Sequence, residues 1–117
     1  MPLQVKNRWQ IGLPRHDGSN GLGLVHCRQA FLQKTDGSLF WSLESLEQCL
    51  KPWLLDIQGI GYLNGQPVFL YELSERPEDE GWQWKSLRSQ LDHEDADWFH
   101  MLSYASQIGT WSRQHRF

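Results

Sequence analysis

Asn64-Gly65 lies between two apolar runs and constrains the fold more than any other pair in the chain. Asn and Gly readily take the two positive φ angles of a type I′ turn, whose twist matches that of paired antiparallel strands. Trp53–Leu63 is therefore predicted to run into a tight turn and return as Gln66–Leu73. Pro67 has no N–H to give a ladder, so it belongs at the start of its strand or on an edge. In the incoming strand, Gly59 and Gly61 mark a bulge or a close backbone approach.

Upstream, Leu22 to Cys27 alternates in the manner of a strand, and Gln29 to Gln33 reads as a second. Thr35-Asp36-Gly37-Ser38 is a hairpin turn signal, with Leu39-Phe40-Trp41 returning as a strand. Ser42, with Ser45 as an alternative, is placed to cap a short amphipathic helix carrying Leu43, Leu46 and Leu50 and ended by Pro52. After the hairpin, residues 75–80 (ERPEDE) read as a solvated acidic loop. Trp82 and Trp84 alternate like strand residues, and Ser86 opens a short helix over Leu87 to Leu91. Met1 to Asn20 shows no period and is expected to be a loosely held lead-in.

The last segment, Asp95 to Phe117, has a helical period. Asp95 or Asp97 is placed to act as N-cap, with acidic groups at the positive end of the dipole. Trp98, Leu102, Ala105 and Ile108 form an apolar stripe, widened by Phe99, Met101 and Gly109. Arg113, His115 and Arg116 gather where positive charge suits the dipole. No Gly cap or Pro follows, so a domain edge is expected near Phe117. The predicted class is α+β: a mixed, mostly antiparallel sheet, a short helix after the first hairpin and a long C-terminal helix. Residues 1–20 are the lead-in and 21–117 the domain.

A chain of 117 residues is one domain's worth. Its net charge of −3 argues against nonspecific polyanion binding by bulk electrostatics. The N-terminus lacks an apolar segment of signal-peptide length, and no run approaches a membrane span, so a cytoplasmic protein with no membrane partner is expected. Cys27 and Cys49 are too few for a disulfide framework. Seven Trp is high for this length, which leaves aromatic area for a core and for a docking surface.

Few residues carry a chemical signature. His26, Cys27, Cys49, His93 and His100 show no metal-ligand spacing, so no metal is expected here. No Gly-x-Ser-x-Gly elbow accompanies the serines. The carboxylate runs Glu78-Asp79-Glu80 and Glu94-Asp95-Asp97 read as a loop and a helix start, so no catalytic residue is assigned. Arg88 stands out in Trp84-Lys85-Ser86-Leu87-Arg88, because a guanidinium offers bidentate phosphate recognition. The alternative for it is a surface ion pair with Asp92 at i+4. Trp82 and Trp84, sharing a strand face, offer a stacking surface for a nicotinamide or adenine ring, with core packing as the bland alternative.

The run from Tyr104 to Phe117, YASQIGTWSRQHRF, resembles the segment leading into the zinc ribbon of bacterial NADH pyrophosphatases of the Nudix superfamily. Gly81-Trp-Gln-Trp-Lys-Ser-Leu-Arg88 and Gly59-Ile-Gly-Tyr-Leu-Asn-Gly-Gln-Pro-Val-Phe69 extend the likeness over the second half, with Leu22 to Leu50 alike only in pattern. The resemblance implies an N-terminal domain ending just before a Cys-x-x-Cys knuckle. It also implies a parent enzyme that hydrolyses NADH to reduced nicotinamide mononucleotide and AMP and removes NAD caps from RNA. That parent would use Mg²⁺ or Mn²⁺ in a catalytic domain and a structural Zn²⁺ in the ribbon, and would work as a homodimer. No Nudix box, with its metal-gathering carboxylates on one helical face, occurs in this sequence. The fragment is thus expected to be inactive, to hold no cofactor and to offer Arg88 as the family's substrate contact. A second family contact, a Lys just after the first hairpin, has no counterpart in Trp41-Ser-Leu-Glu-Ser-Leu46. Two rivals are a stand-alone interaction or ligand-binding module and a small hydrolase built around the histidines.

Overall fold

The computed structural model describes residues 8–15, 21–78, 81–90 and 96–114. Seven strands are present: β1 (Trp9–Ile11), β2 (Leu22–Cys27), β3 (Ala30–Gln33), β4 (Trp41–Ser42), β5 (Leu54–Leu63), β6 (Gln66–Leu73) and β7 (Gln83–Ser86). Two α-helices join them, α1 (Leu43–Leu50) and α2 (Ala96–Gln114). The strands make one sheet in the order β1-β5-β6-β2-β3-β7, with β4 also pairing β2. Only β2 and β6 run parallel, so the sheet is mixed and mostly antiparallel and the α+β expectation holds.

Asn64 and Gly65 adopt φ of 53° and 82°, and β5 and β6 pair across them as expected. Pro67 is the second residue of β6, and pairing with β2 begins only at Val68, so its missing N–H breaks no central ladder. From Val68 to Leu73 every residue of β6 is buried, because both sheet faces are covered. Leu24 and Leu70 pack with Met101, Leu102 and Ala105 of α2 on one face. Val25, Cys27, Phe69, Tyr71 and Leu73 pack with Leu46 and Leu50 of α1 on the other. The period-2 alternation of the strands thus sorts their side chains between two helices.

Several expectations are corrected. The 34–38 turn forms, with Gly37 at φ 88° and Lys34 N–H bonded to Ser38 O, but no strand returns along β3. The outer edge of β3 pairs with β7, and only Trp41–Ser42 rejoins the sheet, on β2. Leu39 and Phe40 instead pack into the α2-side core, Phe40 edge-on against Trp98. The hairpin partner of β3 is β2, across a two-residue turn at Arg28–Gln29 with φ of 50° and 66°.

As expected, α1 stops ahead of Pro52, which lies in the 3₁₀ turn Lys51–Trp53, near whose start its missing N–H is harmless. Ser42 occupies the N-cap position of α1 without a side-chain capping bond. Helix α2 begins at Ala96, and Asp97 in its first turn does not cap it, accepting instead the Trp9 N–H at 2.9 Å. Asp95 lies outside the described residues.

Part of the expected lead-in is also ordered. Trp9–Ile11 forms an edge strand on β5, tied at its start by Arg8 N–H to Asn64 Oδ1 and Asn64 N–H to Arg8 O. Gly59 and Gly61 make room for it: a Cβ at Gly61 would fall on Gln10 O and the Trp9 ring, and one at Gly59 on Pro14. The register also shifts between Gly59 and Gly61, so this strand holds both the bulge and the close approach read from its glycines.

Two measurements test this account. Left-handed φ angles at Arg28 and Gln29 are unfavourable for side-chain-bearing residues, and Asn-Gly is the pair that suits them. The double substitution Arg28→Asn, Gln29→Gly keeps the backbone N–H and is expected to raise stability by about 1 kcal/mol in urea denaturation. Burial, and secondarily Glu47, pushes the Tyr71 phenol from 10 up to about 12. The unfolded chain therefore releases this proton first. Stability from this group is intact below pH 10 and falls by about 2 to 3 kcal/mol as pH rises through about 12. Tyr71→Phe is expected to flatten that alkaline slope.

Candidate functional site

The buried face of α2 changes character along its length. Met101, Leu102 and Ala105 are apolar, and they are followed by Ser106, Gly109 and Ser112 at intervals of three residues. Opposite them runs a polar row in register across the sheet: Asp56 of β5 faces Glu72 of β6, which faces His26 of β2. Ser112 Oγ donates to Asp56 Oδ2 at 2.8 Å, and Gln58 Nε2 donates to the same oxygen at 2.6 Å. His26 Nδ1 lies 2.5 Å from Glu72 Oε2, and His26 Nε2 lies 3.3 Å from Ser106 Oγ. The Gln29 N–H donates to His26 Nε2 at 3.2 Å, which assigns the imidazole proton to Nδ1, donating to Glu72.

Ser106, His26 and Glu72 thus share the connectivity of an acyl-transfer triad. Two features make the arrangement a structural lock. His26 is fully buried, and the lone pair a general base needs is already occupied by the Gln29 amide. Gly109 also closes over the imidazole: a Cβ there would stand 2.5 Å from His26 Nδ1 and 2.6 Å from Glu72 Oε2. Chemically the cluster fixes α2 to the sheet and the Arg28–Gln29 turn to β2. The sequence reading missed Ser106, Ser112 and Glu72. The available signals were one charged residue inside the apolar run Val68–Leu73 and a small-residue period in the helix. Trp98, Phe99 and Ile108 of the predicted stripe are only half-buried.

Arg113, read as a dipole complement, is a clamp. Its Nη2 donates to Ser74 O at 2.5 Å and Leu73 O at 3.3 Å, and lies 3.8 Å from Cys27 Sγ. Burial raises the Cys27 thiol pKa against the lowering pull of this guanidinium, which keeps the group protonated at neutral pH. His115 and Arg116 lie outside the described residues.

Arg88 is exposed in the 3₁₀ turn Leu87–Gln90, which replaces the expected helix and starts with Leu87 N–H bonded to Gln29 O. Asp92, its predicted ion-pair partner, is outside the described residues. Trp82 and Trp84 are half-buried against the α1-side core. Trp84 Nε1 donates to Pro77 O at 3.1 Å, and the Arg76 guanidinium lies 5.9 Å from the Trp84 ring. Trp82 meets Trp41 edge-to-face at 5.7 Å. Arg88 and Trp82 stand at opposite ends of β7, so the structure does not gather the three candidate residues into one pocket.

Nor do the residues present suit the metals that the resemblance implies for a parent. Among the described residues no three His, Cys, Asp or Glu side chains group as ligands. His26 is buried against Glu72, Cys49 is exposed on α1, and His100 is exposed on α2. His93 is outside the described residues. In the row Asp56–Glu72–His26, Asp56 Oδ2 is held by Ser112 and Gln58 and Glu72 Oε2 by His26. Glu72 Oε1 is buried without a hydrogen-bond partner, but no three such side chains group as ligands among the described residues, so no step is derived through a metal in this chain.

In an ordinary helix Gly→Ala stabilises by about 1 kcal/mol. Gly109→Ala is expected to do the reverse and cost about 1 to 3 kcal/mol, because the added methyl meets the imidazole and the carboxylate. Glu72→Ala is expected to lose about 2 to 4 kcal/mol by leaving the His26 N–H buried without an acceptor. Chemical denaturation monitored by tryptophan fluorescence measures both.

A family model described as the NADH pyrophosphatase-like rudimentary NUDIX domain matches residues 19–111. The NAD-capped RNA hydrolase NudC of Stutzerimonas stutzeri is 44% identical over 110 residues, covering 94% of this chain and 39% of that protein. The protein of the same name from Pseudomonas aeruginosa LESB58 shows the same identity and coverage. The one from Pseudomonas fluorescens Pf-5 is 39% identical over 110 residues, again covering 94% of this chain and 39% of the relative. The chain therefore spans about two fifths of the length of the curated relatives it matches. No solved structure gives a significant match. By the extent of the family match and the order of its shared segments, this chain belongs to the NUDIX-like family of rudimentary NUDIX domains found in NADH pyrophosphatases.

Proposed function

We propose that this chain is the N-terminal, non-catalytic domain of a hydrolase that cleaves the pyrophosphate bond of NAD(H), including NAD at the 5′ end of RNA. The observation that carries the reading is the family match over residues 19–111 together with relatives named NAD-capped RNA hydrolase. With no Nudix box in the sequence, we assign metal-dependent chemistry, with Mg²⁺ or Mn²⁺, to a part of the parent that this chain does not cover. A structural Zn²⁺ belongs there too. The domain's own contribution is a rigid scaffold, a surface for homodimerisation and one wall of the substrate cleft through Arg88. An exposed guanidinium on a turn tied to β2–β3 through Leu87 N–H is well held for contact with a phosphate. No helix of the described residues is long and apolar enough to cross a membrane; that the parent works in the cytoplasm is part of the proposal.

The full-length protein, supplied with Mn²⁺ and NADH, is expected to release AMP and reduced nicotinamide mononucleotide, and the present chain to release none. In the full-length protein Arg88→Ala is expected to lower kcat/KM about tenfold or more, in line with loss of a charged phosphate contact. Release of AMP by the 117-residue chain alone would overturn the non-catalytic assignment.

A further inference from the structure

We infer that the cleft between the 34–38 turn and Trp82 is a stacking site for a base of single-stranded RNA, distinct from the position of Arg88. The inference rests on the RNA-cap reading above and gives the domain a second role in it, holding the RNA body. The cleft has a volume of about 260 Å³ and is lined by Lys34, Thr35, Asp36, Trp41, Gly81 and Trp82. That is below the range of complete small-molecule sites, roughly 300 to 1,000 Å³. It suits one aromatic ring and not a whole dinucleotide.

Its walls are held in place before any ligand arrives. Trp41 Nε1 donates to Leu32 O at 3.1 Å, and Trp41 meets Trp82 edge-to-face. The turn is closed by Lys34 N–H to Ser38 O, Gly37 N–H to Lys34 O and Gln33 Nε2 to Gly37 O. Gly81, at φ 80°, is packed so closely that a Cβ would stand 2.7 Å from Thr35 Cγ2. A rigid pair of indoles loses little entropy on binding a ring.

Lys34 and Asp36 both line the cleft and balance in charge, so the group that meets a phosphate is the Lys34 ammonium alone. The Lys34 ammonium lies 5.1 Å from the Trp41 ring centroid, and Asp36, the opposing charge, accepts the Ser38 N–H at 2.9 Å. Along the same sheet face, Trp84 follows with the Arg76 guanidinium beside it. Three indoles, Trp41, Trp82 and Trp84, thus have a cation at each end of the row, Lys34 and Arg76, and aromatic faces beside basic groups are the chemistry by which single strands are held without sequence preference. Arg88 is six residues from Trp82, across β7 and into the 3₁₀ turn, so at most about 20 Å away. A few nucleotides of extended strand cover that distance, so a cap near Arg88 and a downstream base on Trp82 are compatible.

The test is fluorescence anisotropy of a labelled, uncapped RNA decamer at low salt, with quenching of tryptophan emission as a second readout. The present chain is expected to bind, Trp82→Ala to bind roughly tenfold more weakly, and Trp82→Phe to retain most of the affinity. Lys34→Gln, a substitution at the turn and outside the core, is expected to weaken binding and reduce the salt slope by about 0.7. Trp111→Ala, on the exposed side of α2, is expected to leave binding unchanged. No RNA binding, wild-type affinity in both Trp82→Ala and Lys34→Gln, or displacement of the RNA by free NAD would overturn the inference. Full-length turnover of NAD with no binding of uncapped RNA sinks this inference and leaves the proposed function standing. RNA binding lost in Trp82→Ala, with no turnover by the full-length protein, supports the site and sinks that function.

Discussion

The contact between one helix and one polar row of the sheet holds the architecture in register. Asp56, Glu72 and His26 lie side by side on three adjacent strands, and Ser112, Gly109 and Ser106 of α2 lie over them. A buried polar group that loses its partner costs more than a lost apolar contact, so this row admits one register of β5, β6 and β2 and one rotation of α2. The apolar half of the same helix, around Met101, Leu102 and Ala105, supplies burial energy with less geometric demand. One half of α2 drives docking and the other half makes it specific.

That division explains the neighbouring features. The Arg28–Gln29 turn takes two left-handed residues without glycine, yet its amide is held by the same imidazole that Glu72 orients. Arg113 extends the contact past the end of β6 by gripping the carbonyls of Leu73 and Ser74. On the opposite face, α1 and the tryptophans cover Tyr71 and Phe69 with an apolar layer. The sheet therefore has one face secured by polar partners and one by packing.

The features proposed to act in function fall outside this core. Arg88, Trp82 and Lys34 lie just beyond the ends of the paired strands β3 and β7, and Trp41 reaches the same cleft from β4, which pairs with β2. The proposed scaffold role and the proposed substrate-facing edge are compatible because they use different parts of the molecule. Family membership joins this arrangement to proteins of more than twice its length.

The sequence alone determined the β5–β6 hairpin at Asn64-Gly65, the short helix around Leu43, Leu46 and Leu50, the long C-terminal helix and the family. These rest on local φ preferences, short-range periodicity and motif order, all of which are carried by neighbouring residues. It also singled out Gly59 and Gly61, although not what approaches them. Tertiary structure alone decided that β3 pairs with β7, that Trp9–Ile11 joins the sheet, and that Asp97 binds a strand amide. It alone brought His26, Glu72 and Ser106 together from positions up to 80 residues apart. No local rule encodes such meetings, because a polar residue in a strand reads the same whether it finds water or a partner. The partner is set by which strands become neighbours and which face the last helix covers.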